Sequence, residues 1–208
     1  MTFLLSTALS GLLFVPVEPC RIADSREATT MAFGVMAGGG YYAFLVRGDE
    51  TREAFKDRGL GVPIPFTFGP GILGKRHQGG NPGGCGIPME AKGALLHVAI
   101  KPVWPDPGHL RVWKHNIDHY DYSWGTSGVP IFSSPPKASA MNWGGMQDFE
   151  TSNLVFSELC SEKSASFGDC NEDIVVRAYW MPVGIVIDVY GYYVEAKKPC
   201  GEGEVVCK

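Results

Sequence analysis

Glycine and proline constrain the fold of this chain more than any other residues do. The 27 glycines and 15 prolines make up about a fifth of the 208 residues. Glycine disfavours helices because ordering its backbone costs more entropy, and proline disfavours them because it has no N–H to donate. The sequence therefore excludes a protein built from long helices and favours a β protein with many turns.

Strand-like segments are concentrated in the second half of the sequence. Apolar residues alternate over 94–100, and residues 183–194 are rich in β-branched and aromatic side chains. Residues 109–113 follow a turn at 105–108 and are predicted to pair with 94–100 as a hairpin. Further strands are predicted at 31–35, 41–46, 152–159 and 173–180, and one short helix at 49–58, where acidic residues come first and basic residues last.

This pattern of short strands and turn residues predicts an all-β fold, a single antiparallel β-sandwich or jelly-roll-like domain over residues 1–208. Its loops are expected to be long and rich in glycine and proline, above all at 62–86. At most one short helix is expected. No repeat and no linker-like change of composition divides the chain.

The first 17 residues are apolar but lack the basic start and the A-x-A site of a secretory signal. They are also too short, and too often interrupted by Ser, Thr and Gly, for a membrane span. The leading expectation is an ordinary first strand. One alternative is that residues 1–13 add to the sheet edge of a neighbouring subunit, and another is a remnant of a targeting segment.

The six cysteines are an even set without any C-x-x-C pair, which argues against zinc-ribbon and thioredoxin-like sites. Sequence alone does not choose among their many pairings. Two local pairs are plausible, Cys160 with Cys170 and Cys200 with Cys207, the second closing a tail at 195–208. That leaves Cys20 with Cys85. Because the cysteines lie in polar, glycine-rich loops, disulfides in an extracellular compartment are expected, with buried free thiols as the alternative.

The formal net charge of −4 argues against a nucleic-acid binder, which needs clustered Lys and Arg for phosphate contacts. Residues 69–75 match the spacing of a G-x-x-x-x-G-K phosphate loop. Arg76, however, stands where a Ser or Thr would hold Mg²⁺, and the residues that follow cannot start a helix. Nucleotide binding is therefore not expected.

Four segments, in order along the chain, resemble a β-sandwich domain of bacterial secreted and cell-surface proteins. Residues 19–26 match its PCR-x-x-D-[ST]-R opening, and residues 185–193 match its closing strand, [IV]-[IV]-D-V-x-G-Y-[FY]. Between them, residues 85–94 resemble the cysteine, proline and alanine pattern that enters a central strand. Residues 139–154 resemble a spaced pair of asparagine motifs.

The resemblance spans nearly the whole chain and implies an extracellular β-sandwich without an assigned catalytic activity, often an accessory module beside other domains. It also supports the pairing of Cys20 with Cys85. The chain departs from the pattern in longer insertions at 49–84 and 114–134, so a stand-alone role stays open.

Residues 114–124 (KHNIDHYDYSW) form the richest polar cluster. A bend there could bring His115, His119 and Asp121 onto one divalent metal, since imidazole and carboxylate suit Zn²⁺. No H-E-x-x-H is present, so a ligand or subunit contact surface and a solvated loop are the alternatives. The protein is expected not to be an enzyme, with a metal-dependent hydrolase as the alternative. No cofactor other than such a metal is expected. Ser127 lies in GTSG rather than G-x-S-x-G, which does not favour nucleophilic catalysis.

Aromatic side chains in loops are the candidates for ligand or interface contacts. They are Tyr120, Tyr122, Trp124 and Trp143, each directly beside a Gly or an Asp in the sequence. Trp113 and Trp180 fall in predicted strands and are expected in the core. Asp188 lies inside an apolar strand, where an unpaired carboxylate is costly, so a structural ion pair with Arg21 or Arg26 is expected.

These observations together predict a non-catalytic extracellular structural protein, a subunit that assembles with copies of itself into a fibre, filament or layer. The alternative is a carbohydrate-binding or adhesion module that uses the loop aromatics. The expected partners are copies of the same chain or a polysaccharide, with no nucleic acid and no membrane span.

Overall fold

The computed structural model of the chain describes residues 11–27, 36, 41–49, 61–64, 80–81, 84–115, 117–121, 129–132, 137, 139–144, 150–160 and 173–196. This part of the chain contains strands and turns and no helix. Its strands pair antiparallel throughout. The predicted all-β, sandwich-like fold is therefore confirmed.

In chain order the strands are β1 (Leu12–Asp24), β2 (Tyr41–Phe44), β3 (Gly48–Asp49), β4 (Gly61–Ile64), β5 (Gly84–Ile87), β6 (Gly93–Pro102), β7 (Gly108–Lys114), β8 (Ile117–Asp121), β9 (Val129–Phe132), β10 (Met141–Trp143), β11 (Thr151–Glu158), β12 (Ile174–Tyr179) and β13 (Val183–Glu195).

Two sheets contain most of these strands. The four-stranded sheet has the order β1-β13-β6-β11, and the five-stranded sheet has the order β10-β7-β12-β2-β4. The pairs β3–β5 and β8–β9 form separate two-stranded ribbons. The long strands β1 and β13 pair over most of their length, and the register places Arg21 opposite Asp188.

Alternating side chains give the two sheets a common core. In β6, every second residue from Ala94 to Ile100 is at most 2% exposed, whereas the residues between them are only partly buried on the other face. β7, β12 and β13 also contribute buried residues to the same cluster, among them Leu110, Val112, Ile174, Val176, Ile185 and Ile187. The inner faces of the two sheets therefore pack against each other as in a β-sandwich.

The expected hairpin between residues 94–100 and 109–113 is wrong. β6 pairs with β13 and β11, while β7 pairs with β10 and β12 in the other sheet. Both strands have one apolar face, and these faces meet across the core rather than side by side. The connecting residues 103–107 are long enough to cross the roughly 10 Å between packed sheets.

The disulfide between Cys20 and Cys85 ties β1 to β5, with Cα atoms 5.7 Å apart. Cys160 also belongs to a disulfide, while Cys170, Cys200 and Cys207 lie outside the described residues. So do the predicted strand at 31–35 and the predicted helix at 49–58, apart from Asp49, which is in β3.

Candidate functional site

The solvent exposures of Trp143 and Trp180 are the reverse of those expected from the sequence. Trp143, expected in an exposed loop, ends β10 and is 7% exposed. Its ring lies over Gly108, where a Cβ atom would overlap it. Trp180, expected in the core, lies in the turn after β12 and is 76% exposed. Gly108, on the strand paired with β10, leaves space for the Trp143 ring. Trp180 is exposed because β12 ends one residue before it. Trp113 is buried.

The other predicted loop contacts fall wholly or partly outside the described residues. The backbones of His119, Tyr120 and Asp121 belong to β8, but their side chains are not described, and neither are Tyr122 and Trp124. Their predicted roles as metal ligands or interface residues stay predictions.

His115 directly follows β7 and is 4% exposed. Its backbone N–H donates to the carbonyl of Asp173 at 3.0 Å. Burial lowers the pKa of His115 to about 4, and the negative charge of Asp173 opposes this only in part, so the imidazole is neutral at pH 7. Among the described side chains, no three His, Cys, Asp or Glu lie together as a metal site would require.

A buried ion pair without any local signal in the sequence joins Arg47 to Asp173. Asp173 is fully buried and Arg47 is 6% exposed. The Asp173 carboxylate accepts hydrogen bonds of 2.7 Å from the backbone N–H groups of Val46 and Arg47 and from Arg47 Nε. The other guanidinium nitrogens donate to the carbonyls of Met89, Ala91 and Cys160. This network joins segments that are distant in the sequence, so its role is structural.

Asp188 lies on the outer face of the four-stranded sheet, opposite Arg21. Arg21 donates from Nε to Asp188 Oδ1 at 2.9 Å and from Nη2 to Oδ2 at 3.3 Å. Arg26, the other expected partner, donates instead to Asp24 from Nε at 2.8 Å. Asp24 also accepts from Arg21 Nη1 at 3.2 Å. Two carboxylates thus hold both guanidinium groups in fixed positions.

These contacts change the protonation equilibria of the network. The hydrogen bond from Arg26 lowers the pKa of Asp24 although the carboxylate is buried. The hydrogen bond to Asp188 raises the pKa of Arg21. Asp24 and Arg21 are therefore both charged near neutral pH. The adjacent Ser25 continues the strand pairing, since its Oγ accepts from the backbone N–H of Ile185 at 2.9 Å.

A groove of about 570 Å³ lies beside this network on the same outer face. Its floor includes the small or apolar residues Ala99, Gly184 and Val186. The charged and polar residues that line it are Arg21, Ser25, Arg26, His97, Lys101, Glu150 and Asp188. Its volume is in the range of ligand-binding pockets, which typically combine apolar walls with a few fixed polar groups.

Three aromatic rings cross the other end of this face, and we call Phe14, Tyr193 and Phe156 the aromatic stripe. The ring centroid of Tyr193 is 5.0 Å from that of Phe14 and 5.1 Å from that of Phe156. Phe14 covers Gly191 and Phe156 covers Gly93, two positions where a Cβ atom would overlap the ring. The stripe therefore runs from β1 over β13 to β11, and the glycines allow the rings to lie against the sheet.

The outer face of the five-stranded sheet carries a cationic cluster. The rings of His109 and Tyr179 are stacked with centroids 4.4 Å apart. The guanidinium groups of Arg111 and Arg177 lie 4.8 and 4.3 Å from the centre of the Tyr179 ring. Burial, together with the two arginines, lowers the pKa of His109. These stacked contacts offset the repulsion that follows from the cross-strand pairing of Arg111 with Arg177.

Comparison with family models, with curated proteins and with solved structures gives no match. Within the described residues, no helix has the length and apolar character needed to cross a membrane. The resemblance to the bacterial surface domain stays a prediction. The outer face of the four-stranded sheet, with the aromatic stripe at one end and the groove at the other, is the candidate functional surface.

Proposed function

We propose that the protein is a non-catalytic structural subunit that assembles with copies of itself, outside the cell, into a fibre, filament or layer. One observation carries this proposal: both edge strands of the four-stranded sheet expose large apolar side chains. Leu13 on β1 is 46% exposed, and Leu154 and Phe156 on β11 are 54% and 50% exposed. Apolar groups on a sheet edge favour pairing with another chain.

The strand directions suit edge-to-edge assembly. Each neighbouring pair in the order β1-β13-β6-β11 is antiparallel, so β1 and β11 run in opposite directions. A second copy translated across the sheet therefore brings its β11 antiparallel to β1 of the first copy. Such a contact joins two different surfaces, does not close on itself, and generates a linear polymer.

The two edges differ in how they are protected. β11 has the sequence TSNLVFSE, without lysine or proline, and its single charge is Glu158 at the end. In β1, Pro16 and Pro19 remove N–H donors, which leaves residues 12–15 for pairing. The apolar residues 1–10 precede this stretch, and we propose that they extend the contact to the neighbouring copy.

The location outside the cell rests on the Cys20–Cys85 disulfide, because disulfides form and persist in oxidising compartments. The non-catalytic character is supported by the internal use of the charged groups. Arg47 with Asp173, and Arg21 and Arg26 with Asp24, form hydrogen-bonded pairs that join chain segments.

Electron microscopy and sedimentation velocity of the purified full chain test the proposal. We expect polymers of the unaltered protein, and monomers when Leu154→Ser and Phe156→Ser are combined. Met89→Ser is the matched control, since Met89 is also 50% exposed but lies in the turn after β5 and belongs to neither β1 nor β11. Circular dichroism verifies that each variant is folded.

Deletion of residues 1–10 tests the N-terminal contribution, because it leaves β1 (Leu12–Asp24) complete. We expect a folded protein with weakened assembly. A monodisperse monomer of the full chain at high concentration, or unchanged polymers of the Leu154 and Phe156 variant, would overturn the proposal.

A further inference from the structure

The groove on the outer face of the four-stranded sheet has a low, apolar floor. Ala99 on β6 and Gly184 and Val186 on β13 form this floor, with Val186 directly opposite Ala99. Roughly 20 Å of extended chain separates His97 from Val103, both of which line the groove. The groove can therefore accommodate an elongated ligand lying along β6.

The place of the groove within the sheet argues against a peptide strand as its ligand. β6 pairs with β13 and β11, and β13 pairs with β1 and β6, so the backbone groups beneath the groove are used within the sheet. A peptide that adds as a strand needs a free sheet edge, and the edges of this sheet are β1 and β11. Side chains must therefore recognise the ligand of the groove.

The charges at the groove nearly cancel. The lining contains three cations and two carboxylates, and a third carboxylate is hydrogen-bonded to two of the cations; these groups are Arg21, Arg26 and Lys101, Glu150 and Asp188, and Asp24. Glu27 adds a negative charge near Arg26 without lining the groove. A balanced set of charges attracts neither anions nor cations, so electrostatic complementarity favours a neutral ligand.

The polar wall of the groove is a connected series of planar groups. Arg26 Nε donates to Asp24 at 2.8 Å, and Arg21 Nη1 donates to Asp24 at 3.2 Å. Arg21 also donates to Asp188 at 2.9 and 3.3 Å, and His97 Nδ1 lies 4.0 Å from Asp188 Oδ2. Each group is held in place by its neighbour, so little side-chain entropy is lost when a ligand binds.

The pair of Arg21 and Asp188 keeps hydrogen-bonding capacity for a ligand. Arg21 uses three of the five N–H groups of a guanidinium in these contacts, which leaves two. Each oxygen of Asp188 accepts one hydrogen bond from Arg21 and has a further lone pair. Donors and acceptors therefore stand side by side at the wall, and a hydroxyl group, which both donates and accepts, matches them.

We propose that the groove binds a neutral oligosaccharide. Its hydroxyl groups hydrogen-bond to Arg21 and Asp188, and the apolar C–H face of a sugar ring lies on the floor formed by Ala99 and Val186. The proposal goes beyond self-assembly and does not rest on it.

Isothermal titration of the full chain with neutral hexamers of glucose, mannose and N-acetylglucosamine tests the groove, with a hexamer of galacturonic acid as the charged comparison. We expect saturable binding of at least one neutral hexamer and no tighter binding of the acidic one. Because hydrogen bonds rather than net charge carry the contact, raising the salt concentration from about 0.05 to about 0.5 M should change the affinity by less than about twofold.

Gly184→Leu is the decisive variant, because a Cβ atom there meets nothing closer than 3.6 Å and the larger side chain fills the groove. We expect loss of binding with an unchanged unfolding midpoint. Gly144→Leu is the matched control: Gly144 follows β10 in the other sheet, a Cβ atom there meets nothing within 4 Å, and binding should be unaltered.

Asp188→Asn gives a second measurement that does not depend on filling the groove. It keeps the shape of the side chain but replaces one acceptor oxygen by a donor, and should weaken binding roughly three- to tenfold, the value of one hydrogen bond. Glu158→Gln, the same kind of change on β11, should leave binding unaltered.

Four results would overturn the proposal. They are the absence of binding to all three neutral hexamers, tighter binding of the acidic hexamer, a steep fall of affinity with salt, and full binding by Gly184→Leu. The Leu154 and Phe156 variant should still bind the neutral hexamer, so a failure of self-assembly and a failure of sugar binding are distinguishable.

Discussion

Removing the Cys20–Cys85 disulfide should lower the stability of the folded chain by a predictable amount. The bond joins residues 65 positions apart. In the chain-entropy description, closing a loop of that length stabilises the fold by about 4 kcal/mol, because it restricts the unfolded chain. For a protein of this size that corresponds to a fall in melting temperature of roughly 8 to 16 °C.

Urea unfolding of Cys20→Ala, Cys85→Ala and the double variant, followed by intrinsic fluorescence, measures this loss. Each single substitution already removes the cross-link, so both singles and the double should lose nearly the same free energy of unfolding. Additive losses in the double variant would mean that packing of the two side chains, rather than the cross-link, carries the effect. A loss well below about 1 kcal/mol would refute the loop-closure argument.

Two further predictions concern buried charge. Arg47→Met leaves the buried Asp173 carboxylate without its guanidinium partner and should lower the free energy of unfolding by about 3–5 kcal/mol. Adding Asp173→Leu should restore part of the lost free energy. Urea unfolding of the single and the double variant measures the difference. His115 should make the fold acid-sensitive, because its pKa is about 4 in the folded protein, against 6.5 for a free histidine side chain. Between these two values the unfolded chain binds a proton that the folded protein does not. The corresponding stability is fully present above pH 6.5 and is lost as the pH falls towards 4, by roughly 3 kcal/mol. His115→Gln should lack this loss when the urea midpoints at pH 7.5 and pH 4 are compared, and an equal acid loss in that variant would assign the effect to other groups.

The strands that could be predicted from the sequence are those with strong alternation. β6 and β13 were recognisable because their apolar residues recur at every second position or are concentrated in a β-branched run. The position of Asp188 inside such a run indicated that it needs a partner, and Arg21 stands opposite it. The alternation of apolar residues and the position of Asp188 among them depend on neighbouring residues and are therefore visible in a short window of sequence, whereas the partner of Asp188 is set by the pairing of β1 with β13.

Features that depend on strands distant in sequence were not predictable. Arg47 and Asp173 are separated by 126 positions, and neither lies in a motif. The burial of Trp143 depends on Gly108 across the strand pair, and the exposure of Trp180 depends on where β12 ends. The aromatic stripe likewise requires that β1, β13 and β11 lie in one sheet, although they are far apart in the chain.

The sequence by itself determined the fold class, because glycine and proline at this frequency prevent long helices and alternation then leaves strands as the alternative. Only the tertiary structure decided how the strands are distributed between the sheets. Local alternation says that a strand has one apolar face, but not which strand pairs with it or which sheet covers it. That distribution places the groove and the aromatic stripe on one face and leaves β1 and β11 as the edges of the same sheet.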